Sequence, residues 1–179
     1  MIESKYWKED LKILVKDLSP KRNPKRISGK ALAVMEKRIV ICFLIIRKLM
    51  EAKSKLTQAI YKYKDIITYY PVKADARITK LNDIFLERHY DLDSPREKKV
   101  DIRFICNQLI HNEIFFLVRD ENRNYYNVLV CSEYEQRKAL YEISIETISK
   151  ILLVVADNKQ ESIIYTFDDR LGDYVISSK

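Results

Sequence analysis

The stretch SPREKKVDIRFICNQLIHN, residues 94–112, decides how this chain is read. It opens on Ser94, Pro95, Arg96 and Glu97, which set a capping serine, a proline at the first helical position and a glutamate three residues after the cap. A helix is predicted to start here. Val100, Phe104, Asn107, Ile110 with His111, and Ile114 continue it at helical spacing to about His111 or Ile114. Upstream, residues from Ser28 to about Lys64 contain no proline and no glycine after Gly29, which predicts one long helix or two abutting ones. Its run IVICFLII, residues 39–46, is apolar on every side and predicts a central, fully surrounded helix.

Working outward, Trp7, Leu11, Leu14 and Leu18 form one apolar stripe of a helix from about Glu3 to Leu18, ended by Ser19 and Pro20. Residues 20–30 read as a basic linker. Between Tyr69 and Asp93, Pro71 opens a loop, and Ile78, Leu81, Ile84 and Phe85 predict a short helix. After His111 the period changes. Ile114 to Val118 and Tyr125 to Val130 flank the polar RDENRN as a β-hairpin, and Lys138 to Ile143 offers a third strand. Ser144 caps a further helix carrying Ile145, Ile148, Leu152 and Val155, and the tail from Ser162 forms a terminal hairpin. The fold class expected is therefore mainly α: a helical bundle with a small antiparallel hairpin or three-stranded appendage at about 114–143. The expected organisation is an N-terminal helix at 1–19, the linker at 20–30, a helical domain at 31–158 and a tail at 159–179.

Composition excludes several chemistries. Gly29 and Gly172 are the only glycines, so neither a G-x-G-x-x-G turn nor a G-x-x-x-x-G-K-[ST] phosphate loop can be written. Thirty-three Lys and Arg against 26 Asp and Glu leave a net charge of +7, a field that attracts phosphates or acidic partners. Cys42, Cys106 and Cys131 are odd in number and far apart, which suits neither a disulfide framework nor a zinc site and points to a reducing cytoplasm. The charged N-terminus and short apolar runs predict neither secretion nor a membrane span. No cofactor is expected. With two histidines and no paired metal-ligand spacing, no metal site is expected either.

His89, in ERHYDLD, reads as a loop residue near an element boundary. His111 is the stronger candidate, because Arg103, Asn107 and His111 stand at i, i+4 and i+8 on one helix face. An imidazole that moves a proton, a guanidinium that holds anionic oxygens and an amide that orients a group suit phosphate chemistry. The same stripe equally describes a half-buried polar ridge against a neighbouring helix. Cys106 is a poor nucleophile for His111, since residues five apart on a helix point about 140° away from each other.

The run Cys106 to Asn112, CNQLIHN, resembles the signature helix of the HEPN superfamily, whose pattern is arginine, a polar residue, three residues and histidine. Asn107 and His111 match it, whereas Cys106 stands where the arginine belongs and Arg103 lies one turn earlier. IIRKLMEAKSKLT, with Arg47 and Glu51 one turn apart, is similar to a segment of uncharacterised HEPN-like proteins, and the resemblance spans roughly residues 36–158. It implies a helical bundle that dimerises through its signature helices. In active members it implies a metal-independent endoribonuclease of a prokaryotic defence or toxin type, able to meet an antitoxin or other protein partner.

The resemblance thus makes His111, Asn107 and Arg103 the catalytic candidates, with Arg47 as second arginine and Arg47 and Glu51 as a supporting polar cluster. A thiol has neither fixed charge nor a fork of donors, so an arginine from elsewhere must replace Cys106 or the site is silent. Three expectations follow: a ribonuclease, a silent module that binds RNA or a partner protein, or an unrelated helical scaffold. A homodimer with the Ser94 to Ile114 helix at its interface is also expected.

Overall fold

The computed structural model describes residues 3–22, 26–52, 54–160 and 162–178. Residues 23–25 of the expected linker lie outside that set. The apolar stripe of the first segment forms α1 (Ser4–Leu18), burying Leu11, Leu14 and Leu18. The proline-free segment gives α2 (Gly29–Glu51), started by Ser28, whose hydroxyl accepts from the Ala31 amide, and then a five-residue α3 (Gln58–Lys62). Ile39, Phe43 and Ile46 of α2 are fully enclosed, but the run is not surrounded on every side as expected: Ile41 and Leu44 are exposed, because only one flank of α2 meets the other elements.

Beyond α3 the chain turns to sheet. Lys64–Pro71 is strand β1, α4 (Leu86–His89) is a single turn, and Arg96–Asp101 is strand β2, paired antiparallel with β1 from Lys64 opposite Asp101 to Tyr69 opposite Arg96. Next come α5 (Ile102–Ile110), β3 (Asn112–Arg119), β4 (Tyr125–Ser132), β5 (Ala139–Ser144) and α6 (Ile145–Asp157). Strands β1 to β5 form one antiparallel sheet in the order β2-β1-β5-β4-β3, and β6 (Ile163–Asp168) pairs only with β7 (Asp173–Ser178).

This corrects the expected fold class. The chain is not a mainly helical bundle with a β appendage: a five-stranded antiparallel sheet forms the core, and the helices pack on it. The expected helix start at Ser94 to Glu97 leads into strand β2 instead, and α5 is capped by Asp101, whose carboxylate accepts from the Phe104 amide at 2.7 Å. A cap is worth about 1 kcal/mol. Six residues paired to β1, with Val100 buried, outweigh it, and that partner lies some thirty positions upstream, beyond any local signal. β1 was invisible for a related reason, since no glycine or proline separates it from α2. The expected helix through Ile78 to Phe85 is a set of turns that leaves Leu81, Ile84 and Phe85 exposed. The hairpin β3–β4, the third strand β5, the Ser144 cap of α6 and the terminal hairpin all form near their expected places.

Opposite residues of paired strands share a face. The row Tyr69, Tyr141, Val130 and Phe115 faces the helices, where the Phe104 ring of α5 meets Tyr141 edge-on at 5.0 Å. α5 and α6 cross β4 on this side, and α1 packs on α6 and α2, so the N-terminal helix belongs to the same core. The neighbouring row, Thr68, Glu142, Leu129 and Phe116, faces the opposite way. Segment 72–95 covers one end of that face, where Tyr90 Oη donates to the Gln136 carbonyl at 2.8 Å and lies 3.7 Å from Cys131 Sγ. Ile66 and Phe116 stay exposed on the remainder.

Candidate functional site

α5 is a short helix held from both sides. Ile105, Cys106 and Leu109 are buried, and the buried Gln108 uses its Oε1 to accept from the Ser132 amide at 3.0 Å, which pins the helix to β4. That leaves Asn107 on the flank facing α2, where Arg47 stands. Arg47 Nη1 donates to Asn107 Oδ1 at 2.6 Å, and Arg47 Nε donates to Glu51 Oε1 at 3.1 Å. The guanidinium is thus fixed along two edges by groups from two helices. Lys48 Nζ reaches the other Glu51 oxygen at 3.2 Å, and hydrogen bonds from Lys48 and then Arg47 hold the Glu51 carboxyl below its ordinary range.

His111 closes α5 as its C-cap. Its amide donates to the Asn107 carbonyl at 3.2 Å and its carbonyl accepts from the Glu133 amide at 3.3 Å, so the backbone is anchored at the position that presents the ring. The side chain is exposed, and no hydrogen bond or ion pair among the described residues engages the imidazole. It is therefore not an enclosed histidine satisfying a buried contact. Arg103, the first choice as replacement arginine, is exposed one turn before Asn107 and makes no hydrogen bond to it. Its charge instead acts on Tyr61, whose phenol is raised by burial and drawn back by Arg103. The structure accordingly joins Arg47, Asn107 and Glu51 directly and leaves Arg103 and His111 as flanking solvent-facing groups.

Cys106 is sealed beneath this ridge. Burial pushes its thiol up to about 12 against the pull of Arg47 and Arg103, so it stays protonated and enclosed. Burial likewise raises Cys42 and Cys131 to about 11. His89 is no loop residue: it ends α4, is buried, and its Nε2 donates to the Asn82 carbonyl at 2.8 Å. Among the described residues no group of three or more His, Cys, Asp or Glu could hold a metal ion, and no helix is long and apolar enough to cross a membrane.

A second polar cluster escaped the sequence reading. On the open sheet face, Tyr70 Oη and Asn127 Nδ2 donate to the two oxygens of Glu142. Burial, and then the bond to Glu142, push the Tyr70 phenol up to about 12. No motif marks these three residues, because they meet only through the register of β1, β5 and β4. Tyr61 was also missed; its hydroxyl donates to the Met50 carbonyl at 2.6 Å and ties the segment after α2 to that helix beside Arg47.

Compared with family models, curated proteins and solved structures, the chain matches none.

Proposed function

We propose that the ridge formed by Arg47, Asn107 and His111 is the site of a metal-independent endoribonuclease. The observation that supports this reading is the 2.6 Å hydrogen bond from Arg47 to Asn107, which brings a guanidinium from α2 beside the helix whose own Cys106 lacks one. The reading rests on these residues and not on a helical-bundle fold. His111, exposed at the end of α5, accepts the proton of an RNA 2′-hydroxyl as that oxygen bonds to the adjacent phosphorus. The bond from phosphorus to the 5′-oxygen breaks, that oxygen takes up a proton, and the products are a 2′,3′-cyclic phosphate and a 5′-hydroxyl. Arg47 stabilises the charge that builds on the non-bridging oxygens, while Asn107 and Glu51 hold its fork in place. Arg103 and the surplus of positive charge draw the RNA backbone in. Three buried, unpaired cysteines suit a reducing, cytoplasmic setting.

The test is cleavage of mixed RNA by the purified protein in EDTA. His111→Ala and Arg47→Ala are each expected to lower cleavage by about 10²-fold or more, and the products should carry cyclic phosphate ends. Cleavage that survives both substitutions refutes the assignment. One observation favours a second reading, a silent RNA-binding module: Glu51 and Asn107 already occupy two donors of Arg47. That reading prevails if the wild-type protein leaves RNA intact yet binds it in a salt-sensitive manner that Arg103→Ala and Arg47→Ala weaken.

A further inference from the structure

The two edges of the five-stranded sheet are built differently. β2 carries Arg96, Glu97, Lys98, Lys99 and Asp101, charges that oppose pairing with another strand. β3 instead runs through Ile114, Phe115, Phe116, Leu117 and Val118 without a charge, with Phe116 40% exposed. No backbone hydrogen bond outside the β3–β4 ladder involves residues 113–118 among the described residues. The ladder shifts between Asn112 and Ile114 and again between Val118 and Arg119, so the regular, pairable part of this edge is residues 114–118. An apolar edge of that length is a template for a further strand.

Its sequence says which strand. Opposite residues of an antiparallel pair share a face, so a two-fold axis relating two copies of β3 must pass through a residue. With the axis on Phe116, Ile114 lies opposite Val118, Phe115 opposite Leu117, and Glu113 at each end opposite Arg119. Moving the axis to Phe115 sets Glu113 against Leu117, and moving it to Leu117 sets Arg119 against Phe115. Only the Phe116 register matches charge with opposite charge and keeps five apolar residues together. It also sets the two Phe116 rings side by side across the axis, a favourable cross-strand pair.

We propose that a second copy of this chain adds across β3 in antiparallel register centred on Phe116, joining the two five-stranded sheets into one. The interface is thus a strand and not the helix carrying Asn107, and it holds whether or not the ridge cleaves RNA.

Sedimentation equilibrium of the full chain at micromolar concentration, with circular dichroism to verify folding, tests this. The wild type should be a dimer, and Phe116→Lys should raise its dissociation constant about tenfold or more by setting like charges face to face. Glu113→Arg and Arg119→Glu should each weaken the dimer, and the double exchange should restore it. Across the axis the two Phe116 Cα atoms stand about 4.5–5.5 Å apart, within the span of a disulfide. Phe116→Cys should therefore yield a cross-linked dimer on mild oxidation, with the native cysteines buried and out of reach. If Phe116→Lys does not fold, that cross-link decides. A monomer at every concentration, a dimer indifferent to Phe116→Lys, or no cross-link through Phe116→Cys overturns the proposal.

Discussion

Two clusters of three polar side chains sit on opposite layers of this molecule, and each contains an asparagine. On the helix layer, Asn107 accepts from the half-exposed Arg47, which also grips Glu51. On the sheet face, Asn127 is 8% exposed and donates, with Tyr70, to Glu142. The first cluster holds a cation on Asn107, one helical turn before the exposed His111. The second holds an anion against two neutral donors that use both of its oxygens. A carboxylate satisfied in this way fixes strand register, whereas a guanidinium held on two edges still has a donor edge to offer a phosphate.

Exchanging the two losses gives the largest expected effect. Arg47→Ala should lower RNA cleavage by about 10²–10³-fold, the range for removing one stabiliser of developing charge, while Glu142→Gln leaves cleavage within about twofold of the wild type. Equal losses would erase the functional difference between the clusters.

Stability should order them the other way. Glu142→Leu strands the Tyr70 hydroxyl and the Asn127 amide without their acceptor and should cost about 1–3 kcal/mol, read as a melting temperature several degrees lower. Arg47→Ala, at the partly exposed site, should cost less, and a greater loss for Arg47→Ala would reverse the comparison.

Asp101→Ala probes the junction that brings Asn107 to its place. The carboxylate caps α5 directly after β2, so its removal should cost about 1 kcal/mol in denaturant unfolding. It should also lower cleavage more than Glu142→Gln does, because α5 carries Asn107 and His111 of the proposed site.

The smallest effect concerns acid. Glu51 is held below its ordinary range by Lys48 and Arg47, so its contribution is present above about pH 4.3, the unfolded value, and fades as pH falls through the lower native one. Thermal melts of the wild type and Glu51→Gln should differ slightly at neutral pH and converge below about pH 4. A gap that widens in acid would show that Glu51 is not held by these cations.

Local chemistry made much of this legible. The stripe of Leu11, Leu14 and Leu18, the proline-free segment that forms α2, the Ser144 cap and the period change after His111 each act over a few residues. The segment 64–101 was not legible. Lys64–Pro71 has no punctuation to set it apart, and Ser94 to Glu97 spells a helix start that pairing with β1 overrides. Of the site, Asn107 and His111 could be named from one helix. Arg103 seemed the better arginine because it shares their face, yet α2 brings Arg47 to Asn107 from sixty positions away.

By itself the sequence determined the helix carrying Leu11, Leu14 and Leu18 and the helix after Ser144, that Cys106 offers neither a fixed charge nor a fork of donors, and that glycine-dependent phosphate loops were impossible. Tertiary structure alone decided that five strands make the core, that Arg47 is the arginine that reaches Asn107, and that Tyr70, Asn127 and Glu142 meet at all. The reason is the range of the forces. Capping and helical periodicity are settled within one or two turns, whereas strand pairing and helix docking depend on partners distant in sequence.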